Sequence, residues 1–160
     1  MPRARSAVVI FFILALASLC SAQSNTTTCT QEDGRQVYIR YNPASSREKL
    51  VYGKPWSPGG APMTLFTEAP LTLSGTAIPI GAYSVYPIPA KDKWTLVVNK
   101  NVSAGAAYDD KQDIARAAME TDQVPDAANT LEVAFAHYGA KCTLRIYFGK
   151  SASFADFMVK

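Results

Sequence analysis

A single histidine, three cysteines and only 18% charged residues in a chain of 160 set the first limits on this protein. One His excludes a three-His centre or an H-E-x-x-H helix, which need at least two imidazoles. Three scattered Cys exclude a zinc-thiolate cluster, whose ligands come in close pairs. Neither G-x-G-x-x-G nor G-x-x-x-x-G-K-[ST] occurs, so both common phosphate cradles are missing, and no G-x-S-x-G elbow presents a nucleophilic serine. The chain is too short for a (β/α)₈ barrel or a two-domain nucleotide enzyme. It fits one domain. These absences imply no cofactor and no resident metal.

No apolar run reaches the roughly 20 residues that span a bilayer. The N-terminus carries Arg3 and Arg5, then an uncharged apolar run over residues 7–17, then Cys20-Ser21-Ala22 ahead of Gln23. A basic lead, a short apolar core and small residues in that order read as a signal peptide over residues 1–22, cut after Ala22. Lipidation at Cys20 fits poorly, because lipoprotein signals carry a small residue directly before the Cys and Leu19 stands there. The expected location is therefore secreted or periplasmic, with no transmembrane segment after cleavage. Losing Arg3 and Arg5 lowers the 16 basic residues to 14 against 13 acids. No basic cluster larger than Arg47 with Lys49 is visible, which argues against a nucleic-acid partner.

Cys29 and Cys142 remain in the mature chain. Two thiols in an exported protein read as one disulfide, with two buried free thiols as the alternative. No C-x-x-C motif is present, so the pair speaks for stability rather than redox chemistry.

The rest of the chain alternates at period two between turn signals. Residues 23–36 form a polar arm ending in a turn, and a single β domain covers residues 37–160. Val37, Ile39 and Tyr41 share one face of a half-buried strand. Residues 53–62 hold Pro55, Pro58, Gly59, Gly60 and Pro62 and must be a loop, with Trp56 needing cover. Tyr83 and Val85 alternate with Ser84 and Tyr86, and Trp94, Leu96 and Val98 line the next strand. Leu131, Val133 and Phe135 share a face, as do Cys142, Leu144, Ile146 and Phe148 after the Tyr138-Gly139-Ala140 turn. Asp113–Met119 is ambiguous: its alanines favour helix, yet two turns of helix between strands would be marginal. About eight strands with little helix predict an all-β antiparallel two-sheet β-sandwich, with a β-barrel as the alternative.

Candidate chemistry is sparse. His137 ends an apolar strand face beside a turn and has a reference pKa suited to a general base. Asp109, Asp110 and Asp113 offer clustered carboxylates without the EF-hand spacing. Trp56, Tyr83, Tyr86 and Trp94 offer an aromatic platform for a sugar or peptide. Trp94 shares its face with Leu96 and Val98 and belongs in the core, whereas Trp56 on its Gly/Pro loop is the better surface candidate. Arg116 pairs with Asp113 or with a ligand carboxylate. The ligand-binding candidates are thus Trp56, Tyr86, Arg116 and His137, with no catalytic residue assigned.

Four stretches carry a resemblance. Tyr52-Gly53-Lys54-Pro55-Trp56 matches Y-G-K-x-W, and GTAIPIGAYSVYPIP over residues 75–89 matches G-x-x-[LI]-P-x-G-x-Y-S-[LV]-[FY]-x-I-P. Trp94-Thr95 with Asn99-Lys100 matches W-T-x-x-x-N-K, and Tyr108, Asp113 and Arg116 fit a spaced Y…D-x-x-R. From about residue 50 onward the chain resembles the bacterial exported family called domain of unknown function 2911. The resemblance implies a β-rich exported domain and a strand at Asp113–Met119. One departure stands out: after Y-G-K-x-W the family usually continues R-T-G-A-N-E-A-T, whereas here Ser57 replaces the Arg and Pro62 the Glu. The expected role is non-catalytic binding of a small molecule, glycan or peptide in the bacterial envelope. The alternatives are a hydrolase using His137 with an Asp of 109–113, and a structural envelope component acting through protein partners.

Overall fold

The computed structural model describes residues 23–160, so the segment read as a signal peptide lies outside the described residues. Ten strands make two antiparallel sheets. They are β1 (Asn25–Thr30), β2 (Gln36–Tyr41), β3 (Met63–Thr67), β4 (Leu71–Leu73), β5 (Thr76–Ile78), β6 (Gly81–Ile88), β7 (Thr95–Asn99), β8 (Asp113–Ala118), β9 (Glu120–Tyr138) and β10 (Lys141–Val159). One sheet has the order β1-β2-β3-β6-β7-β8 and the other β5-β4-β10-β9. The architecture is an all-β sandwich without a closed barrel. Asp113–Ala118 is a strand, as the family resemblance implies, because Ala115 and Ala117 point into the core while Arg116 points out.

Period-two burial explains most of the strands. In β2, Val37 and Ile39 are fully buried while Arg40 is exposed. In β10, Cys142, Leu144, Ile146 and Phe148 face inward. Side chains of alternating orientation from two facing sheets make one core. Chain passage between the sheets is abrupt: only Met119 separates β8 from β9, and it is itself buried.

The segment read as a polar arm contains a strand, β1. β1 pairs with β2 along its whole length, from Asn25 opposite Tyr41 to Thr30 opposite Gln36. Its threonines suit a strand that is solvated on one side. The Cys29–Cys142 disulfide then fastens this edge strand to β10 of the other sheet, with Cα atoms 6.1 Å apart. β9 is closed off nearby. The Leu131 amide donates to the Ala44 carbonyl at 2.7 Å, and the Phe135 amide to the Thr27 hydroxyl at 3.0 Å. Between them, the Val133 amide donates to the Tyr41 hydroxyl at 3.4 Å. This stretch of edge therefore offers few free donors to another strand.

β10 is not straight. Its register with β9 breaks on both sides of Gly149, whose φ of +58° suits a residue without a Cβ. Past this bend the strand returns beside its own first half. The Val159 amide donates to the Ala140 carbonyl at 2.8 Å, and the Thr143 hydroxyl donates to Asp156 at 2.6 Å.

Candidate functional site

The motif residues converge, but into the scaffold. Trp56 is set by its loop: its amide donates to the Pro87 carbonyl at 2.8 Å and the Gly53 amide to the Pro89 carbonyl at 2.9 Å. The loop thus docks on the end of β6 that β3 no longer pairs, since the β3 ladder stops at Val85. That arrangement also accommodates Pro87, which has no N–H to give a second neighbour. The Trp56 ring lies 4.6 Å from Phe148 and edge-on to Trp94 at 6.1 Å, and its indole N–H donates to Glu48 at 2.7 Å. At 7% exposure it is a core residue. This corrects the reading of Trp56 as a surface platform: the Gly/Pro loop folds inward because the indole's apolar body needs burial and Glu48 satisfies its one donor.

On the opposite, outer face of the six-stranded sheet, Tyr86, Val97 and Arg116 stand in register across β6, β7 and β8. Tyr108, from the irregular connection over residues 100–112, covers them. Its ring meets Tyr86 edge-on at 5.0 Å. Asp113 is the hub. It accepts from Asn99 at 2.8 Å, from the Tyr108 hydroxyl at 2.6 Å, and from Arg116 Nε and Nη2 at 2.9 and 2.6 Å. Asn99, itself buried, also donates to the Asp109 carbonyl and accepts from the Asn101 amide, while Ser84 donates to the Asn101 carbonyl. Burial, and then the hydrogen bond to the Asp113 carboxylate, pushes the Tyr108 phenol up to about 12. The hydrogen bonds that Arg116 donates to the Asp113 carboxylate likewise raise Arg116 above its ordinary value, and burial raises Tyr86. Tyr86, 5% exposed, is covered, so its face is not open to a ligand. Arg116 takes the pairing with Asp113. The arrangement latches a long connection to the sheet.

His137 stands apart at the end of β9, exposed, with Nε2 2.6 Å from the Gly139 carbonyl oxygen. It belongs to the four-stranded sheet, whereas Asp113 begins β8 of the other. The four candidates are thus not one site: Tyr86 and Arg116 share the latch, Trp56 is in the core, and His137 is at a hairpin tip. Among the described residues, no three His, Cys, Asp or Glu side chains gather around a point that could hold a metal ion, and no helix is long and apolar enough to cross a membrane.

A concavity lies elsewhere. The folded-over β10 and its neighbours form a depression of about 770 Å³ on the outer face of the four-stranded sheet. Its lining includes Thr143, Arg145, Tyr147, Phe154 and Asp156 of β10, with Thr72 of β4 and Glu120 of β9. Tyr147 and Phe154 meet edge to face at 6.2 Å, and Lys141 pairs with Asp156 at 3.3 Å. The inner face of β10 is written at period two in the sequence, and its outward residues follow from the same alternation. The bend at Gly149 that makes their face concave leaves only a Gly-Lys pair in the sequence.

No curated protein and no solved structure matches the chain. A family model does: the one described as Protein of unknown function (DUF2911) matches residues 22–154, which takes in every strand except the end of β10, and all the residues of the latch. The chain belongs to that family.

Proposed function

We propose that this chain is an exported, non-catalytic binding domain of the bacterial envelope that holds a small molecule, glycan or peptide on the outer face of its four-stranded sheet. The observation that carries this reading is the depression itself: concave, of ligand size, and furnished with an aromatic pair beside charged side chains. Pockets of roughly 300–1,000 Å³ with a few placed polar groups are the usual form of a small-molecule site. A buried disulfide suits an oxidising compartment, and the order of residues 1–22 suits export. The non-catalytic reading draws support from His137, whose ring nitrogen is engaged by a backbone carbonyl in a sheet that does not contain Asp113. A general base needs a reacting partner and an orienting group within hydrogen-bond reach.

Thermal unfolding of the purified chain against sugars, peptidoglycan fragments, peptides and Ca²⁺ tests the binding role. A ligand at about 100 times its Kd adds about 2.7 kcal/mol, enough to raise Tm by several degrees. A clear shift with one class supports the role, and a flat panel with a cooperatively folded chain refutes it. Mass spectrometry of chain recovered from the envelope tests export: the expected N-terminus is Gln23, and an intact Met1 in the cytoplasm refutes it.

A further inference from the structure

The furnishing of the depression points to a narrower class of ligand, an inference that rests on the binding role proposed above. Along the outward face of β10, Thr143, Arg145 and Tyr147 follow one another at every second residue. Thr143 and Lys141 both turn to Asp156, at 2.6 and 3.3 Å, so the Lys141 charge is answered within the wall. Tyr147 turns to Phe154. Arg145 stands between these two contacts, exposed, and takes part in none of the ion pairs among the described residues. On the far flank of Phe154 is its strand partner Glu120, also exposed and also outside those ion pairs.

Each group has a chemical complement. A guanidinium presents a planar fork of donors that matches a carboxylate bidentately. Half-buried aromatic rings offer apolar surface to the C–H face of a flat ring. A carboxylate such as Glu120 accepts from hydroxyls, as it accepts from any neutral donor. A ring with an acid on one side and hydroxyls on the other satisfies all three at once. We propose that the depression binds an acidic saccharide, with the sugar carboxylate on Arg145, the ring face on Tyr147 and Phe154, and hydroxyls toward Glu120.

The test is an NMR titration of the purified chain, following backbone amides, with glucuronate, glucose, benzoate and acetate as probes. Glucuronate should shift the amides of Arg145, Tyr147 and Phe154 in a saturable way. Glucose, lacking the acid, should bind about tenfold more weakly or worse, and benzoate and acetate likewise. Arg145→Gln should remove the preference for glucuronate over glucose while leaving Tm unchanged, since the side chain is exposed and forms no ion pair. Tyr147→Ala should weaken both sugars. Equal binding of glucose and glucuronate, or an Arg145→Gln chain that keeps the preference, overturns the acidic class. Benzoate binding as tightly as glucuronate overturns the saccharide. No shift with any probe overturns the inference, and the broader ligand panel then judges the binding role separately.

Discussion

Replacing Asp113 by Ala should cost about 2–3 kcal/mol of stability. The carboxylate is 10% exposed and accepts from Asn99, Tyr108 and both Nε and Nη2 of Arg116. A hydrogen bond to a charged group is worth about 1.5–3 kcal/mol, but the four do not add. The Arg116 side chain is 48% exposed and can turn to water, so its share is that of a surface pair, about 0–1 kcal/mol. Asn99 keeps the Asp109 carbonyl at 2.9 Å. What remains is the partly buried Tyr108 hydroxyl and one Asn99 donor. For a domain of this length, about 3 °C per kcal/mol puts the fall in Tm at about 6–9 °C. Urea unfolding of wild type, Asp113→Ala, Tyr108→Phe and the double variant gives the coupling directly, expected at about 1 kcal/mol or more. The Tyr108 phenol adds a pH signature. Its folded pKa of about 12 lies above the ordinary value near 10, so the fold favours the neutral form. Its contribution is whole below about pH 10 and is lost as pH rises through about 12. The stability gap between wild type and Tyr108→Phe should shrink over that window. An Asp113→Ala loss below about 0.5 kcal/mol, or additive single variants, would refute the latch.

Three further perturbations probe the frame. The double variant Cys29→Ala, Cys142→Ala opens a link across 113 positions and should lose about 4–5 kcal/mol in the chain-entropy model. Hydrogen exchange should then speed up first in β1, and unchanged protection there would show that the ladder to β2 suffices. Trp56→Ala should cost about 3–5 kcal/mol in denaturant unfolding, as for other large core side chains, whereas a loss under about 1 kcal/mol would mean that the loop is not part of the core. Gly59 has φ of +61°, and a Cβ there would run into the Pro43 carbonyl oxygen. Gly59→Ala should therefore lose more than about 1 kcal/mol, and more than Gly60→Ala, where a Cβ would meet nothing within 4 Å. Equal losses would contradict the close approach.

Alternation made the inward faces of β2, β6, β7 and β10 legible, because burial on one side of a strand writes itself at period two. It failed where burial is absent or incomplete. β1 is paired through its backbone and carries threonines that look like any polar arm, so only its ladder to β2 reveals it. The first half of β9, with Asp122, Pro125 and Asp126, is largely exposed and has no apolar stripe. It is held by pairing with β10, and Glu120 opposite Phe154 is a partnership across 34 positions that no local pattern records. Trp56 misled for a different reason. A Gly/Pro loop reads as surface, yet Pro87 and Pro89 offer carbonyls that draw the loop down onto β6, and the indole follows. As for the candidate site, its residues were visible but its shape was not, since concavity depends on one bend at Gly149.

The motif residues have a physical account that requires no ligand. Tyr108, Asp113 and Arg116 close on one another, Asn99 and Ser84 bind the connection that carries Tyr108, and Trp56 packs on Trp94. Each of these residues is occupied by another of them or by the backbone next to it, whereas Tyr52 of the same stretches is 64% exposed. The loop that carries Ser57 and Pro62 is held by Glu48, which accepts from the Trp56 indole and the Gly59 amide. Arg145, Tyr147 and Phe154 stand on the opposite sheet from the latch and contribute nothing to it. The latch and the proposed ligand face therefore lie on different sheets, so that changes at one need not disturb the other.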